Sequence, residues 1–268
     1  MKDALHALLG DVAEETAALD DLLVTLSTQE WSLPTPSPGW SIRDQVSHLA
    51  WLDEAALMAA TDPQRFRDEA AAALTVGPEF TNQMALRYRS LELDELHAWF
   101  LEARREMSAA LEAMDGTARV PWYGPDMSVM SLATARLMET WAHGQDVYDA
   151  VGVERVATNR LQHVAHLGFR TMAFSFAVHG LPAPEAPVRV VLRSPTGDEW
   201  SWGPDAALDE VTGSALGFCL IVTKRRHVED TDIVTKGPIA TEWMSIAQAF
   251  AGPPGQGRQP QGQGVGQL

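Results

Sequence analysis

Glu139, His143 and Asp146 lie on one stripe of the segment "METWAHGQDV", at its second, sixth and ninth positions. If the segment is helical, residues four apart meet on one face, so the Glu139 carboxylate and the His143 imidazole stand side by side. Two such groups can reach one divalent cation together. Asp146, three residues further on, can orient the imidazole or face the same cavity. A simple surface ion pair explains the same spacing, and spacing alone does not separate the two readings. The neighbours favour the first. Leu132, Ala135, Ala142 and Ala150 lie on or beside the stripe, which therefore faces an interior. A carboxylate there needs a partner, because an unpaired buried charge is costly.

A third donor is offered by "DQVSHLAWLDEA", where His48 lies mid-helix among Val46, Leu49 and Leu52. Two histidines and one glutamate leave a coordination position open, whereas a closed structural zinc site usually has four protein ligands. An open position takes water, a thiol or a substrate oxygen. The ion lowers the pKa of such a group and makes a nucleophile near neutral pH. Zinc suits this donor set, and nickel, iron and manganese are compatible with it.

The elements that must position these residues are mainly helical. Leucines and Val12 recur at helical spacing over residues 3–27. "WSLPTPSPGW" then breaks the chain, and Ser41 with Asp44 marks the start of a helix over 42–60. Short helices interrupted at "VGPE" are expected over 63–90, and a long helix over 92–114. A loop follows in "DGTARVPWYGPDMS". Another helix is expected over 129–150, stopped by Gly152, and one more over 157–179. Beyond "HGLPAPEAP", the run "VRVVLRSPTGDEWSWGP" alternates as strands do about a turn. Helices are expected in "GSALGFCLIVTKRR" and "GPIATEWMSIAQAFAG". The organisation expected is a helical bundle over 1–180 with its core in 1–152, an α+β unit over 183–251, and a disordered Gly/Gln/Pro-rich tail over 252–268.

"GWSIRDQVSHLAWLDEA", followed about 90 residues later by "ETWAHGQDVYDAVG", resembles the DinB-like superfamily, and within it the N-terminal domain of mycothiol-dependent maleylpyruvate isomerases. The resemblance covers residues 1–150. It implies a four-helix bundle with a divalent metal held by His48, Glu139 and His143, and mycothiol as thiol cosubstrate. The last third, "FCLIVTKRRHVEDTDIVTKGPIATEWMSIAQAFAGPPG", is similar to an actinobacterial branch of metal-binding proteins, and departs there from the isomerases.

The remaining chemistry-bearing residues are fewer. Trp122 and Tyr123 can wall the site or simply pack. Arg225 and Arg226, in "TKRRH", can hold the carboxylates of a small anionic ligand or form a solvated helix end. Cys219, in "LGFCLIV", reads as core.

The net charge of −16 argues against non-specific binding to nucleic acid or to an anionic membrane. A single cysteine permits no disulfide within the chain and fits a reducing, cytoplasmic setting. A homodimer is compatible with an acidic bundle of this kind. The function expected is a metal-dependent transferase or isomerase that joins a thiol to a small electrophile. A non-catalytic metal or small-molecule-binding module and a metal-assisted hydrolase are the alternatives.

Overall fold

The computed structural model describes residues 2–77, 80–255 and 257–263. The chain divides into two compact units, Met1–Arg155 and Val156–Leu268. It is mainly helical, with a helical bundle followed by an α+β part.

The first unit contains helices α1 (Lys2–Leu23), α2 (Ile42–Thr61), α3 (Pro63–Val76), α4 (Phe80–Arg87), α5 (Leu93–Glu112) and α6 (Val129–Val151). The four long ones, α1, α2, α5 and α6, form the bundle, with α2 against α5 and α6, and α1 against α6 and α5. Leu19, Leu23, Ile42, Val46, Leu49, Leu96, Phe100 and Val147 meet in its apolar core. A two-residue antiparallel ladder, β1 (Arg119–Val120) with β2 (Met127–Ser128), closes the loop that carries Trp122 and Tyr123.

The entry to α2 shows how sequence becomes local structure. The Asp44 carboxylate accepts from the backbone N–H and the hydroxyl of Ser41, satisfying a helix-start donor. Arg89 then grips the same carboxylate with Nε and Nη2, at 2.8 and 2.7 Å. A capping residue thus also pins the chain beyond α4 to the start of α2. Gly152, with φ of +69°, stops α6 in the left-handed conformation that glycine adopts without strain.

Three residues later Arg155 turns back into the bundle. It pairs with buried Glu15 of α1, donates to the Trp141 carbonyl at 2.6 Å, and lies over the Trp141 and Tyr148 rings. Gly144 makes room for it, since a Cβ there would stand 3.3 Å from the guanidinium.

One polar assembly runs through all four long helices. Asp53 of α2, fully buried, accepts from Arg104 of α5 at 2.7 Å and from Arg136 of α6 at 2.9 Å. Arg104 also reaches Thr16 of α1 and Thr140 of α6.

The second unit holds helices α7 (Leu161–Arg170), α8 (Met172–Val178), α9 (Ala215–Val222) and α10 (Pro238–Ile246), with strands β3 (Val188–Arg193), β4 (Glu199–Trp202), β5 (Asp209–Ser214) and β6 (Val234–Lys236). The sheet order is β4-β3-β5-β6, with β3 parallel to β5 and both outer pairings antiparallel. The turn read at "SPTGDE" joins β3 to β4, with Gly197 at φ of +94°.

Several expectations change. The helix expected over 157–179 is two, broken at Thr171, whose hydroxyl takes up the Leu167 and Gly168 carbonyls. Both belong to the second unit rather than to the bundle, and α7 packs on α9 so closely that a Cβ on Gly168 would lie 2.8 Å from Val222. Strands β5 and β6 had no reading in the sequence. β5 carries one apolar side chain, Val211, among polar residues and glycine, and β6 is three residues long, so neither shows an apolar alternation.

Arg225, offered as part of a solvated helix end, is 8% exposed. Lys224 adopts φ of +57°, and the Arg225 N–H turns back to the Leu220 carbonyl in a helix-terminating motif that carries the side chain inward. Of the tail beginning at Gly252, residues 256 and 264–268 lie outside the described residues. Its described part bonds back to the unit: Gln261 N–H reaches the Asp230 carboxylate and Lys224 reaches the Gly255 carbonyl.

Candidate metal centre

His48 comes from the middle of α2, and Glu139 and His143 from successive turns of α6, the two helices that pack face to face. Their ligand atoms all lie within 4.8 Å of one another. His143 Nε2 is 3.0 Å and His48 Nε2 is 3.8 Å from the same oxygen, Glu139 Oε2. Ligands bound to one tetrahedral ion at its usual bond lengths stand about 3.4 Å apart. The observed spacings bracket that value. The three side chains keep 9%, 19% and 12% of their surface, so the cluster opens to solvent.

Burial alone would raise the Glu139 carboxyl pKa. Hydrogen bonds from His143 and His48 and the charges of His143 and Arg136 outweigh that and hold it well below the usual carboxylate range. It is therefore an anion at neutral pH. His48 Nδ1 is buried and has no hydrogen-bond partner among the described residues. Its other nitrogen, Nε2, is the one that faces Glu139 and would meet a cation. By these criteria the donor set suits a divalent cation.

The acid response of Glu139 gives a first prediction. A carboxyl whose pKa is depressed on folding stabilises the protein above the unfolded value of about 4.3, and that contribution is lost as pH falls through the depressed folded value. In metal-free protein, acidification from pH 7 to 3 is expected to lower the unfolding midpoint of the wild type more than that of Glu139→Gln. Parallel decline of the two in a thermal melt series would refute it.

Sequence reasoning missed what holds His143. Gln45 of α2, wholly buried, places its carbonyl oxygen 2.5 Å from His143 Nδ1. Its amide NH2 donates to Thr35 Oγ1 at 2.8 Å and to Asp146 Oδ2 at 3.4 Å, and Ser37 donates to the same Asp146 oxygen at 2.8 Å. An ionised carboxylate only accepts, so Asp146 fixes which end of the Gln45 amide faces the imidazole. The amide oxygen in turn takes the proton on Nδ1, so Nε2, the nitrogen that faces Glu139, is the one a cation would meet in place of a proton.

Asp146 thus lies behind His143 as expected, but acts one residue removed, through Gln45. The signal for Gln45 was present: an amide three residues before His48, on the same face of the helix. Losing a partner of this kind typically costs 10–100-fold in metal affinity. Gln45→Leu is expected to weaken zinc binding by about that factor in a chelator competition, while circular dichroism stays helical. Unchanged affinity would show the relay to be ornamental.

Trp40 was also missed, because "SPGW" reads as a loop. Its ring stacks on His143 at 5.9 Å and meets His48 edge-on at 5.2 Å. Its indole N–H holds Asn82 of α4. Among the described residues the Trp122 and Tyr123 rings make no ring contact with the two imidazoles; Trp51 links them, 5.9 Å from His48 and 6.1 Å from Tyr123. Arg225 and Arg226 belong to the second unit. There each donates to a backbone carbonyl, Thr223 and Arg225 respectively. Cys219 is fully buried, which pushes its thiol pKa far up.

The sequence profile of the family described as mycothiol maleylpyruvate isomerase N-terminal domain matches residues 12–148. Two Mycobacterium tuberculosis proteins, both named as uncharacterized, one from strain CDC 1551 / Oshkosh and one from strain H37Rv, are each 45% identical over 250 residues. The match covers 93% of this chain and 97% of each relative. The crystal structures of the mycothiol-dependent maleylpyruvate isomerase and of a histidine-to-alanine mutant of it share the fold. Both give a TM-score of 0.58 at 16% identity, over 87% of this chain and 95% of theirs.

Proposed function

Because the chain belongs to the mycothiol maleylpyruvate isomerase N-terminal domain family, we propose that it uses a divalent metal to activate a small thiol, mycothiol or a close analogue, toward a small electrophile, as a transferase or isomerase. The observation that carries this reading is the convergence of His48, Glu139 and His143 in a cluster that reaches solvent. When bound there, a divalent ion supplies Lewis acidity that brings the pKa of a coordinated thiol near neutrality.

The chain's own residues do the rest. Glu139 contributes the one negative charge among the three donors, so the ion keeps net positive charge with which to stabilise a thiolate. Gln45 and Asp146 hold His143 in the required tautomer. Trp40 covers the imidazoles on one side and restricts water there. Cys219 is buried in the second unit with a raised pKa, so the chain supplies no ready thiolate of its own. The nucleophilic sulfur must then come from a small molecule. No described helix is long and apolar enough to cross a membrane, which is compatible with a cytoplasmic thiol pool.

The test is to load the protein with zinc, nickel, iron or manganese and follow consumption of mycothiol with a panel of electrophiles. Metal-dependent consumption above the uncatalysed rate supports the reading. Turnover that proceeds without thiol would instead assign the open position to water and make the protein a hydrolase. Bound metal with no effect on any thiol would make it a binding module.

A further inference from the structure

Most aromatic clusters in a bundle are buried core. The one beside the metal centre is not. Trp40, Trp51, Phe80, Trp122 and Tyr123 each keep part of their surface in solvent, and only Phe66 behind them is buried. The rings are continuous. From the triad, Trp40 and Trp51 flank His48, Phe80 meets Trp51 at 5.4 Å, and Tyr123 meets Phe80 and Trp51 at 6.4 and 6.1 Å. Trp122 completes the row at 5.3 Å from Tyr123. A partly exposed apolar strip that ends on a group of donor atoms has the composition of a ligand site, in which apolar walls carry a few polar groups that fix orientation.

The polar groups on this strip share one character. The Tyr123 hydroxyl and the indole N–H groups of Trp51 and Trp122 make no hydrogen bond among the described residues. Indole N–H groups donate only, and burial with the nearby Glu69 charge pushes the Tyr123 phenol up to about 12, so it stays protonated. None of the five side chains is charged. Anionic Glu69 near Tyr123 opposes a carboxylate on the strip.

We propose that the strip Trp40–Trp51–Phe80–Tyr123–Trp122 is the electrophile subsite of the metal centre, and that it takes an uncharged planar aromatic compound bearing an acceptor oxygen, rather than a dicarboxylate. This rests on the thiol reading only for the word electrophile; the binding preference stands on the strip itself. The ring of the ligand stacks against Trp51 and Phe80, and its oxygen accepts from Tyr123 or an indole N–H. Where the electrophile is a conjugated carbonyl, the sulfur–carbon bond forms at the β carbon. The carbon–carbon π pair shifts toward the carbonyl oxygen, and the proton lost by the thiol returns to the α carbon, so no other reactant is needed.

Two probes of one size and opposite charge character test it: 4-nitroacetophenone, uncharged, and 4-nitrobenzoate, anionic. Calorimetric titration of the zinc-loaded full chain is expected to show the ketone binding at least tenfold more tightly. Trp51→Ala and Phe80→Ala should each weaken the ketone about tenfold, Trp51→Tyr should restore most of the loss, and Tyr123→Phe should cost a few-fold. Circular dichroism on each variant checks that the bundle persists. Equal or tighter binding of the benzoate, or ketone binding indifferent to Trp51→Ala in the folded variant, overturns the proposal. Ketone selectivity in a protein that consumes no mycothiol upholds this subsite and refutes the thiol reading; thiol turnover with benzoate-type selectivity does the reverse.

Discussion

Glu139→Gln is expected to lower zinc affinity by more than the roughly 10–100-fold that follows loss of an outer partner, and to abolish thiol turnover, while the helical content stays near that of the wild type. The substitution keeps the shape of the side chain and removes its charge. Glu139 Oε2 is the one atom common to both imidazole contacts, at 3.0 Å to His143 and 3.8 Å to His48. Removing its charge therefore leaves two neutral nitrogens facing a cation, with no anion in the donor set to offset the charge.

Loss through His48→Ala should be comparable, because either change leaves two donors. Metal content after dialysis against a chelator, measured by elemental analysis, reads the effect directly. Stoichiometric zinc retained by Glu139→Gln would remove Glu139 from the centre, and with it the reading of His48, Glu139 and His143 as one site.

The largest effect on stability should come from Asp53→Ala. Both guanidinium groups that Asp53 holds are buried, Arg104 at 4% and Arg136 at 1% exposure. Removing the carboxylate strands two cations in the core. Breaking a buried pair by deleting one partner typically costs about 3–5 kcal/mol, and for a chain of this size each kcal/mol moves the unfolding midpoint by about 2–4 °C. A midpoint drop of roughly 10 °C or more is therefore expected in a thermal melt.

The remedy distinguishes charge from packing. Replacing all three residues together, as Asp53→Leu with Arg104→Met and Arg136→Met, should recover most of the loss, since a well-packed apolar set often replaces a buried ion cluster without penalty. If Asp53→Ala melts within a degree or two of the wild type, the assembly contributes no net stability.

The two sites differ in how far the sequence announces them. Glu139 and His143 announce themselves by spacing, and His48 by being a lone imidazole on an apolar stripe. Helix α6 and the capped start of α2 follow from local rules, Ser41 with Asp44 at one end and Gly152 at the other. Gln45 is different. Its role depends on partners 10 and about 100 residues away, Thr35, Asp146 and His143, and no local pattern encodes those distances.

Asp53 and Arg136 do carry a local signal, because each charge falls on the inward face of its helix. The pairing that satisfies them is tertiary. Strands β5 and β6 were illegible for a related reason. β5 is defined by its pairing with β3 across 21 positions of register, Val188 to Asp209, rather than by its own alternation.

Arg155 governs where this polypeptide can be cut. Helix α6 ends at Val151, so Gly152 looks like a natural terminus for an isolated bundle. Yet the guanidinium that neutralises Glu15, threads past Gly144 and covers the Trp141 and Tyr148 rings lies three residues beyond that end. A polypeptide ending at Gly152 lacks the group that sews the last turn of the last helix to the first. One ending at Val156 keeps it. Urea unfolding should find the longer of the two more stable by roughly 3–5 kcal/mol. Four residues with no regular secondary structure would then act as the buckle of the bundle.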